Sequence, residues 1–265
     1  MAFKEIHLNP EYSKHPTHSR EWWLRWLKAY KHEIHDDGSV SILGQTNRLP
    51  DEKHLRSFSG KERAARANFA IVSFNNKKII DFPFKFRKIV GDLHISESGI
   101  TSLEYGPEIV TGAFNCNGIK LKNGLKNSPK VGTFFNCANC ELTSLEGSPE
   151  IVPDAFICQH NRLTSLEGGP KEVGAMNVSW NYPLESLKGA PIIKPNPNTT
   201  LGTFFDFQQC KSLKNLEYLP SLPNLKDYRY NGTKFNLEDV EEANRVSRVA
   251  SSSSKKAKEL FGGLF

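Results

Sequence analysis

Cysteine and histidine are the residues of this chain whose spacing could support metal or thiol chemistry. The sequence has five cysteines and eight histidines among its 265 residues. Cys137 and Cys140 form a CxxC pair, and His160 follows Cys158 at the second position. A tetrahedral zinc ion needs four such ligands, so these four residues are one candidate metal site.

A structural explanation accounts for the same cysteines. Cys116, Cys137 and Cys158 are each 21 residues apart, and Ser179 occupies the next position of the series. Free cysteine is among the most buried residue types, so a column of small inward side chains fits this spacing. We therefore expect an internal ladder, with no metal and no other cofactor.

Catalytic motifs of the common enzyme classes are not found in the sequence. It contains no nucleophile elbow, no P-loop and no dinucleotide-binding fingerprint. Most of the histidines precede residue 55, but no nucleophile or acid stands at a motif spacing from them. The sequence therefore predicts a protein that is not an enzyme.

The strongest pattern in the chain is an internal repeat of 21 residues, which must position any functional side chain. The segment Leu142-Thr-Ser-Leu-Glu-Gly-Ser-Pro149 recurs with few changes from Leu163, and a looser unit begins at Leu213. The first apolar residues of successive units keep the 21-residue spacing: Ile79, Ile100, Leu121, Leu142, Leu163 and Leu184. Such self-similarity is typical of solenoids.

Each repeat unit has a physical logic. Two leucines three residues apart face one side, and Gly-x-Pro then bends the chain and stops any helix. A short alternating run follows, which predicts strands at 113–116, 134–137, 155–158 and 176–179. The residues that we expect to serve the turns are asparagines, which tolerate left-handed backbone: Asn117, Asn139, Asn161 and Asn181.

These elements predict a repeat solenoid of the leucine-rich-repeat type, with short parallel strands, turns and a helical cap at each end. A single unit cannot bury its own apolar face, so neighbouring units must stack and the ends must be covered. We divide the chain into an N-terminal capping region (1–75), the solenoid (76–235), a closing helix (236–250), and a flexible linker with an apolar C-terminal peptide (251–265).

The N-terminal region contains a tryptophan-rich amphipathic helix. Trp22, Trp23 and Trp26 fall at helical spacing, and Ser19 is positioned as the N-cap. One interpretation is that the helix covers the open end of the solenoid. The other is that the three indoles form a partner-binding face.

The C-terminal peptide is unusually apolar. Serines at 251–254 precede a lysine-rich segment, and the chain then ends with Leu260, Phe261, Leu264 and Phe265. These four side chains either dock on the solenoid of the same chain or insert into a hydrophobic pocket of a partner. The sequence leaves both possibilities open.

Charge and composition limit the partners and the compartment. The net charge of +6 and the pI of about 9.0 permit contact with nucleic acid. However, glutamates accompany the lysines of the repeats, so no regular basic stripe is evident. No apolar run approaches the ~20 residues of a membrane span. The odd number of cysteines and the polar start of the chain favour reduced thiols in a cytoplasm and no membrane association.

The repeat resembles the leucine-rich-repeat-like proteins of tailed bacteriophages, T4-type phages among them. Besides the repeat itself, Asp37-Gly-Ser-Val40, Phe82-Pro-Phe-Lys-Phe86 and Val90-Gly-Asp92 match that family, and the resemblance covers about residues 34–192. It implies the fold and a location in the cytoplasm of the infected bacterial host. Since a fold does not define a function, it says little about activity.

The C-terminal peptide carries a second resemblance. The segment Leu260-Phe-Gly-Gly-Leu-Phe265 is similar to the C-terminal peptides by which phage replication and late-transcription proteins hold the DNA sliding clamp. This similarity implies a binding scaffold for a host or phage protein, tethered to the clamp or to RNA polymerase. A nucleic-acid-binding protein and an anti-defence inhibitor that binds a host protein are the alternatives.

Overall fold

The structure is a computed structural model that describes residues 6–7, 9–10, 19–45, 70–75, 79–197 and 201–261, with only the backbone from residue 253 onwards. The chain divides into two compact units, Met1–Cys140 (unit 1) and Glu141–Phe265 (unit 2). Both are built as parallel β-solenoid, and together they contain about seven turns with few helices. The predicted repeat solenoid is therefore confirmed.

Unit 1 begins with a helix and a hairpin. Helix α1 (Arg20–Leu27) starts at Ser19, whose hydroxyl oxygen accepts the Trp22 backbone N–H at 3.2 Å, which confirms the predicted N-cap. Strands β1 (Tyr30–Ile34) and β2 (Val40–Gln45) pair antiparallel. The turn between them uses Gly38, whose φ of 74° is left-handed, as the Asp-Gly pair predicted.

Parallel strands continue unit 1 in two ladders. Their bounds are β3 (Ala70–Ser73), β4 (Phe86–Ile89), β5 (Gly91–His94), β6 (Ile109–Val110), β7 (Phe114–Asn115), β8 (Lys130–Val131) and β9 (Phe135–Asn136). One ladder has the order β1-β2-β4-β6-β8, and the other contains β3-β5-β7-β9. The strands β2 and β3 precede residue 76, so the solenoid pairing starts earlier in the chain than we predicted.

An aromatic cluster fills the first coil of unit 1. The Trp23 ring lies 6.0 Å from the Phe74 ring and 6.3 Å from the Phe84 ring, between ring centroids. Trp26 packs on Phe74 and on Tyr30, at 5.5 and 4.7 Å. Large aromatic rings supply much apolar area from few residues, so α1 is held on the solenoid mainly by burial.

Unit 2 contains the remaining elements. They are β10 (Ile151–Ile157), β11 (Glu172–Asn177), β12 (Ile192–Ile193), β13 (Phe205–Asp206), a 3-10 turn (Leu225–Asp227), β14 (Tyr228–Arg229) and α2 (Leu237–Phe261). The parallel order is β14-β13-β11-β10, and β12 pairs with β11. The pairing follows from the repeat, because each strand can satisfy its backbone groups only on the coils above and below.

Leucines and asparagines form the interior of unit 2. Leu145, Leu166 and Leu187, which occupy one position of the repeat, are at most 1% exposed. The buried Asn161 and Asn181 accept the backbone N–H groups of Leu142 and Leu163 at 2.9 and 3.1 Å. The predicted structural role of these two asparagines is therefore confirmed.

A β-bulge interrupts the 21-residue spacing. Val152 pairs with Val173, 21 positions away, whereas Ala155 pairs with Ala175, 20 positions away. The extra residue lies at Pro153–Asp154, where proline has no N–H to donate. The column of Cys158 therefore continues with Val178, and the prediction that Ser179 continues it was wrong.

Helix α2 is longer than the predicted closing helix. We expected a helix over 236–250 and a flexible linker over 251–254, whereas α2 continues through these serines to Phe261. Ser251 donates its hydroxyl to Ser247 O at 2.8 Å, and Ser252 donates to Val249 O at 2.9 Å. Serine side chains that bond to carbonyls of the preceding turn are compatible with a continuous helix.

Candidate binding surface

One turn of each coil has a left-handed backbone. The residue at this position has a φ between 55° and 76° in every coil from Glu97 onwards. In unit 1 the position holds Glu97, Gly118 and Asn139, and in unit 2 it holds His160, Trp180, Gln209 and Gly232. Glycine and asparagine tolerate this conformation, but a bulky side chain in it is a genuine outlier.

Hydrogen bonds between coils hold this turn in place. His160 donates its backbone N–H to Ser179 O at 3.0 Å, and Trp180 donates its backbone N–H to Gln208 O at 2.8 Å. Strained backbone of this kind persists only where the surrounding structure fixes it. The ladder thus forces whichever side chain occupies the turn to project from the coil.

Four side chains of unit 2 form a surface cluster at this turn, which we call the aromatic corner: His160, Trp180, Tyr182 and Lys211. The imidazole and indole rings are stacked, with centroids 5.2 Å apart and planes 13° from parallel. Tyr182 meets Trp180 edge-to-face at 6.0 Å. The Lys211 ammonium lies 5.7 Å from the centre of the Tyr182 ring.

The aromatic corner is accessible to a partner. Trp180 is 36% exposed and Tyr182 is 48% exposed, although tryptophan is usually largely buried. Behind the rings, Asn177 donates its amide to Gln159 Oε1 at 2.8 Å and accepts the Ser179 N–H at 2.9 Å. Exposed rings on a fixed backbone present a rigid apolar surface with a cationic edge.

Sequence reasoning did not identify the aromatic corner. A signal existed, because bulky His160 and Trp180 follow Gly118 and Asn139 at the turn position of the repeat. The bulge at Pro153–Asp154 obscures it, since it places Trp180 at 20 rather than 21 residues from His160. An alignment by turns instead of by fixed length would have revealed the substitution.

The three N-terminal tryptophans lie in different environments. Trp23 is 1% exposed and packs in the aromatic cluster of unit 1, Trp26 is half-buried, and Trp22 is 39% exposed. Contact between Trp23 and a partner would require α1 to move. Trp22 is therefore the accessible member of the predicted partner-binding face, whose binding role stays a prediction.

Of the C-terminal peptide, the structure describes only the backbone of Leu260 and Phe261, at the end of α2. Leu264 and Phe265 lie outside the described residues. The structure thus does not test whether this peptide docks on its own chain or on a partner.

The cysteines are free and buried. Burial raises the pKa of the Cys116 and Cys158 thiols, and it raises the pKa of Cys210 to about 12. Cys140 donates to Cys116 O at 3.1 Å. His160 is exposed in the aromatic corner, and no group of three potential metal ligands occurs within the described part of the chain. The thiols of this ladder are chemically protected packing groups.

Comparisons with known proteins identify no relative. No family model, no curated protein and no solved structure matches this chain. Within the described residues, no helix combines the length and the hydropathy that crossing a lipid bilayer would require. The functional argument therefore depends on the geometry of the molecule.

Proposed function

We propose that this chain is a non-enzymatic scaffold of a tailed bacteriophage that binds a host or phage protein through the aromatic corner. The exposed, stacked pair of His160 and Trp180 on a left-handed backbone carries this proposal. Tryptophan and tyrosine dominate the hot spots of protein interfaces, where rigid rings lose little entropy on binding. A bulky residue at a strained turn costs about 1–3 kcal/mol, which indicates selection for something other than stability.

The C-terminal peptide adds a second contact in this proposal. Residues Leu260, Phe261, Leu264 and Phe265 would hold the sliding clamp, or the transcription and replication machinery, in the cytoplasm of the infected cell. The partner bound at the corner would then be modulated or inhibited close to DNA. Two linked weak contacts bind far more tightly than either alone.

We also propose that both helices act as caps of the solenoid. The buried Trp23 of α1 and the buried Val240 of α2, which is 0% exposed, support this role. Repeat arrays need terminal elements with a polar outer surface, because the last coil would otherwise expose its core.

Asparagine substitutions in the aromatic corner test the proposed function. Trp180→Asn and His160→Asn introduce the residue that Asn139 places at the same turn, so the folding free energy should change by less than about 1 kcal/mol. The captured partner from infected cells should bind the double variant at least about tenfold more weakly, measured with purified protein. Thr164→Ala, at an exposed site of the same unit, is the control. An unchanged dissociation constant for every captured protein would refute the proposal.

A nucleic-acid-binding function is favoured by one feature of the same surface. Single-stranded nucleic acids bind by stacking bases on aromatic rings next to cations, and Lys211 lies beside Tyr182. This alternative predicts binding that weakens steeply with salt and is lost in Trp180→Asn. Anisotropy of a labelled single strand at two salt concentrations separates it from a protein partner.

A further inference from the structure

Charge is segregated along helix α2. Four acids occupy its first two turns (Glu238, Asp239, Glu241 and Glu242), and three lysines stand near its end (Lys255, Lys256 and Lys258). The helix dipole favours the same arrangement, but it does not account for the apolar side chains between the two ends. Val246 is 53% exposed and Val249 is 56% exposed.

The first half of α2 is attached to unit 2, and the second half extends beyond the attachment. Arg248 makes the last contact, donating to Pro223 O at 2.8 Å. Every following residue whose side chain is described is exposed: Val249, Ala250, Ser251 and Ser252. The 13 residues from 249 to 261 span about 20 Å of helix at 1.5 Å per residue.

An acidic groove lies beside the attached half of α2. Its volume is about 480 Å³. The floor is apolar, with Leu216, Phe235 and Val246, and the rim carries Glu217, Glu238 and Glu242. Glu242 is paired with Arg245 at 2.6 Å, whereas Glu217 and Glu238 are exposed. The groove therefore suits an apolar segment that carries positive charge.

The far end of α2 has this composition. It contains Lys255, Lys256 and Lys258, followed by Leu260 and Phe261. It cannot reach the groove of its own chain, because residues 246 and 261 are about 22 Å apart along one continuous helix. The matching segment must therefore come from another molecule.

We propose that two copies of this chain associate through α2, with the helices antiparallel and the basic end of each beside the acidic groove of the other. The contact is reciprocal, so a two-fold axis duplicates every favourable interaction. Val246 and Val249 of the two copies lie near that axis and are covered. This dimer goes beyond the proposed function and does not require a clamp or any partner at the aromatic corner.

The oligomeric state of the full chain tests the dimer. Sedimentation velocity should show a dimer at low salt that dissociates as salt screens the exposed charges. The triple variant Lys255→Glu/Lys256→Glu/Lys258→Glu should weaken association by about tenfold or more, because each attraction becomes a repulsion twice over. The control, Lys122→Glu/Lys126→Glu/Lys130→Glu, makes the same change of net charge at exposed sites in unit 1 and should leave the dimer intact.

A charge-swap experiment guards against misfolded variants. Glu241→Lys/Glu242→Lys should also be monomeric alone, and mixing it with the triple lysine variant should restore a heterodimer. A native chain that remains monomeric at all concentrations, or variants that fail to associate on mixing while their circular dichroism stays native, would overturn the proposal.

Discussion

At the scale of single residues, Asp206 stands where other coils have asparagine. The side-chain oxygens of Asn115, Asn136 and Asn177 each accept the backbone N–H two residues later, at 2.9 to 3.0 Å. Asp206 accepts the Gln208 N–H in the same way at 3.1 Å. Burial raises the pKa of its carboxyl group, although this hydrogen bond and Arg229 at 3.8 Å act in the opposite direction.

Asp206→Asn should stabilise the protein at neutral pH by roughly 0.5–1 kcal/mol. The pKa of Asp206 is higher in the folded state, so this group contributes stability below its ordinary value of 3.8 and loses it as the pH rises through the folded value. The amide keeps the hydrogen bond without the charge. Urea unfolding at acidic and neutral pH measures the difference.

The reverse substitution is the control for this prediction. Asn115→Asp should destabilise unit 1 at neutral pH and have less effect at acidic pH, where the carboxyl group is protonated. If Asp206→Asn lowered stability at neutral pH, the attraction of Arg229 would outweigh the cost of burial.

At the scale of elements, α2 is attached to the last coil by a buried polar network. Asn244 is 4% exposed, and its side-chain oxygen lies 2.9 Å from the Tyr228 hydroxyl and accepts the Leu222 N–H at 3.1 Å. Tyr228 donates to Pro220 O at 2.6 Å, and burial raises the pKa of Tyr228 to about 12. The network fixes the direction in which the helix leaves the solenoid.

Asn244→Ala should lower the free energy of unfolding by about 1–3 kcal/mol, because it leaves the Leu222 N–H and the Tyr228 hydroxyl without this acceptor. Urea unfolding followed by circular dichroism is the measurement. Glu241→Ala, at an exposed site one turn earlier, should change stability by less than about 0.5 kcal/mol. Equal effects of the two substitutions would contradict the role of the network.

At the scale of the whole molecule, stability is built from contacts between neighbouring coils. Leu166 is 0% exposed, and its N–H donates to Lys188 O in the following coil at 2.9 Å. In such a quasi-one-dimensional fold, each coil is stabilised only by those beside it. A defect should therefore have a local range.

Leu166→Ala should cost about 2–5 kcal/mol through the cavity that it creates. Hydrogen exchange should show faster exchange in β10 and β11, with the strands of unit 1 unchanged. The exposed Thr143→Ala should leave exchange as in the native chain. Equally faster exchange in both units would show that the chain unfolds as one cooperative body.

The periodicity of the sequence predicted the solenoid, the strand positions and the turn asparagines, because each depends on residues within one repeat. The bulge at Pro153–Asp154 was not predictable from a 21-residue spacing that resumes at Leu184. The stacking of His160 on Trp180 depends on which coils become neighbours, and the continuity of α2 depends on serine hydroxyls that bond to the preceding turn. Interactions of these kinds arise only in the folded chain.

The left-handed turn has one further consequence. At Gly118 an added side chain would meet no atom within 4 Å, so this turn is an empty position on the outside of the coil. Asparagine there would suit the backbone, and the interior would not need to repack. Mutation can thus rewrite what the surface recognises, coil by coil, while the sequence that encodes the core stays constant.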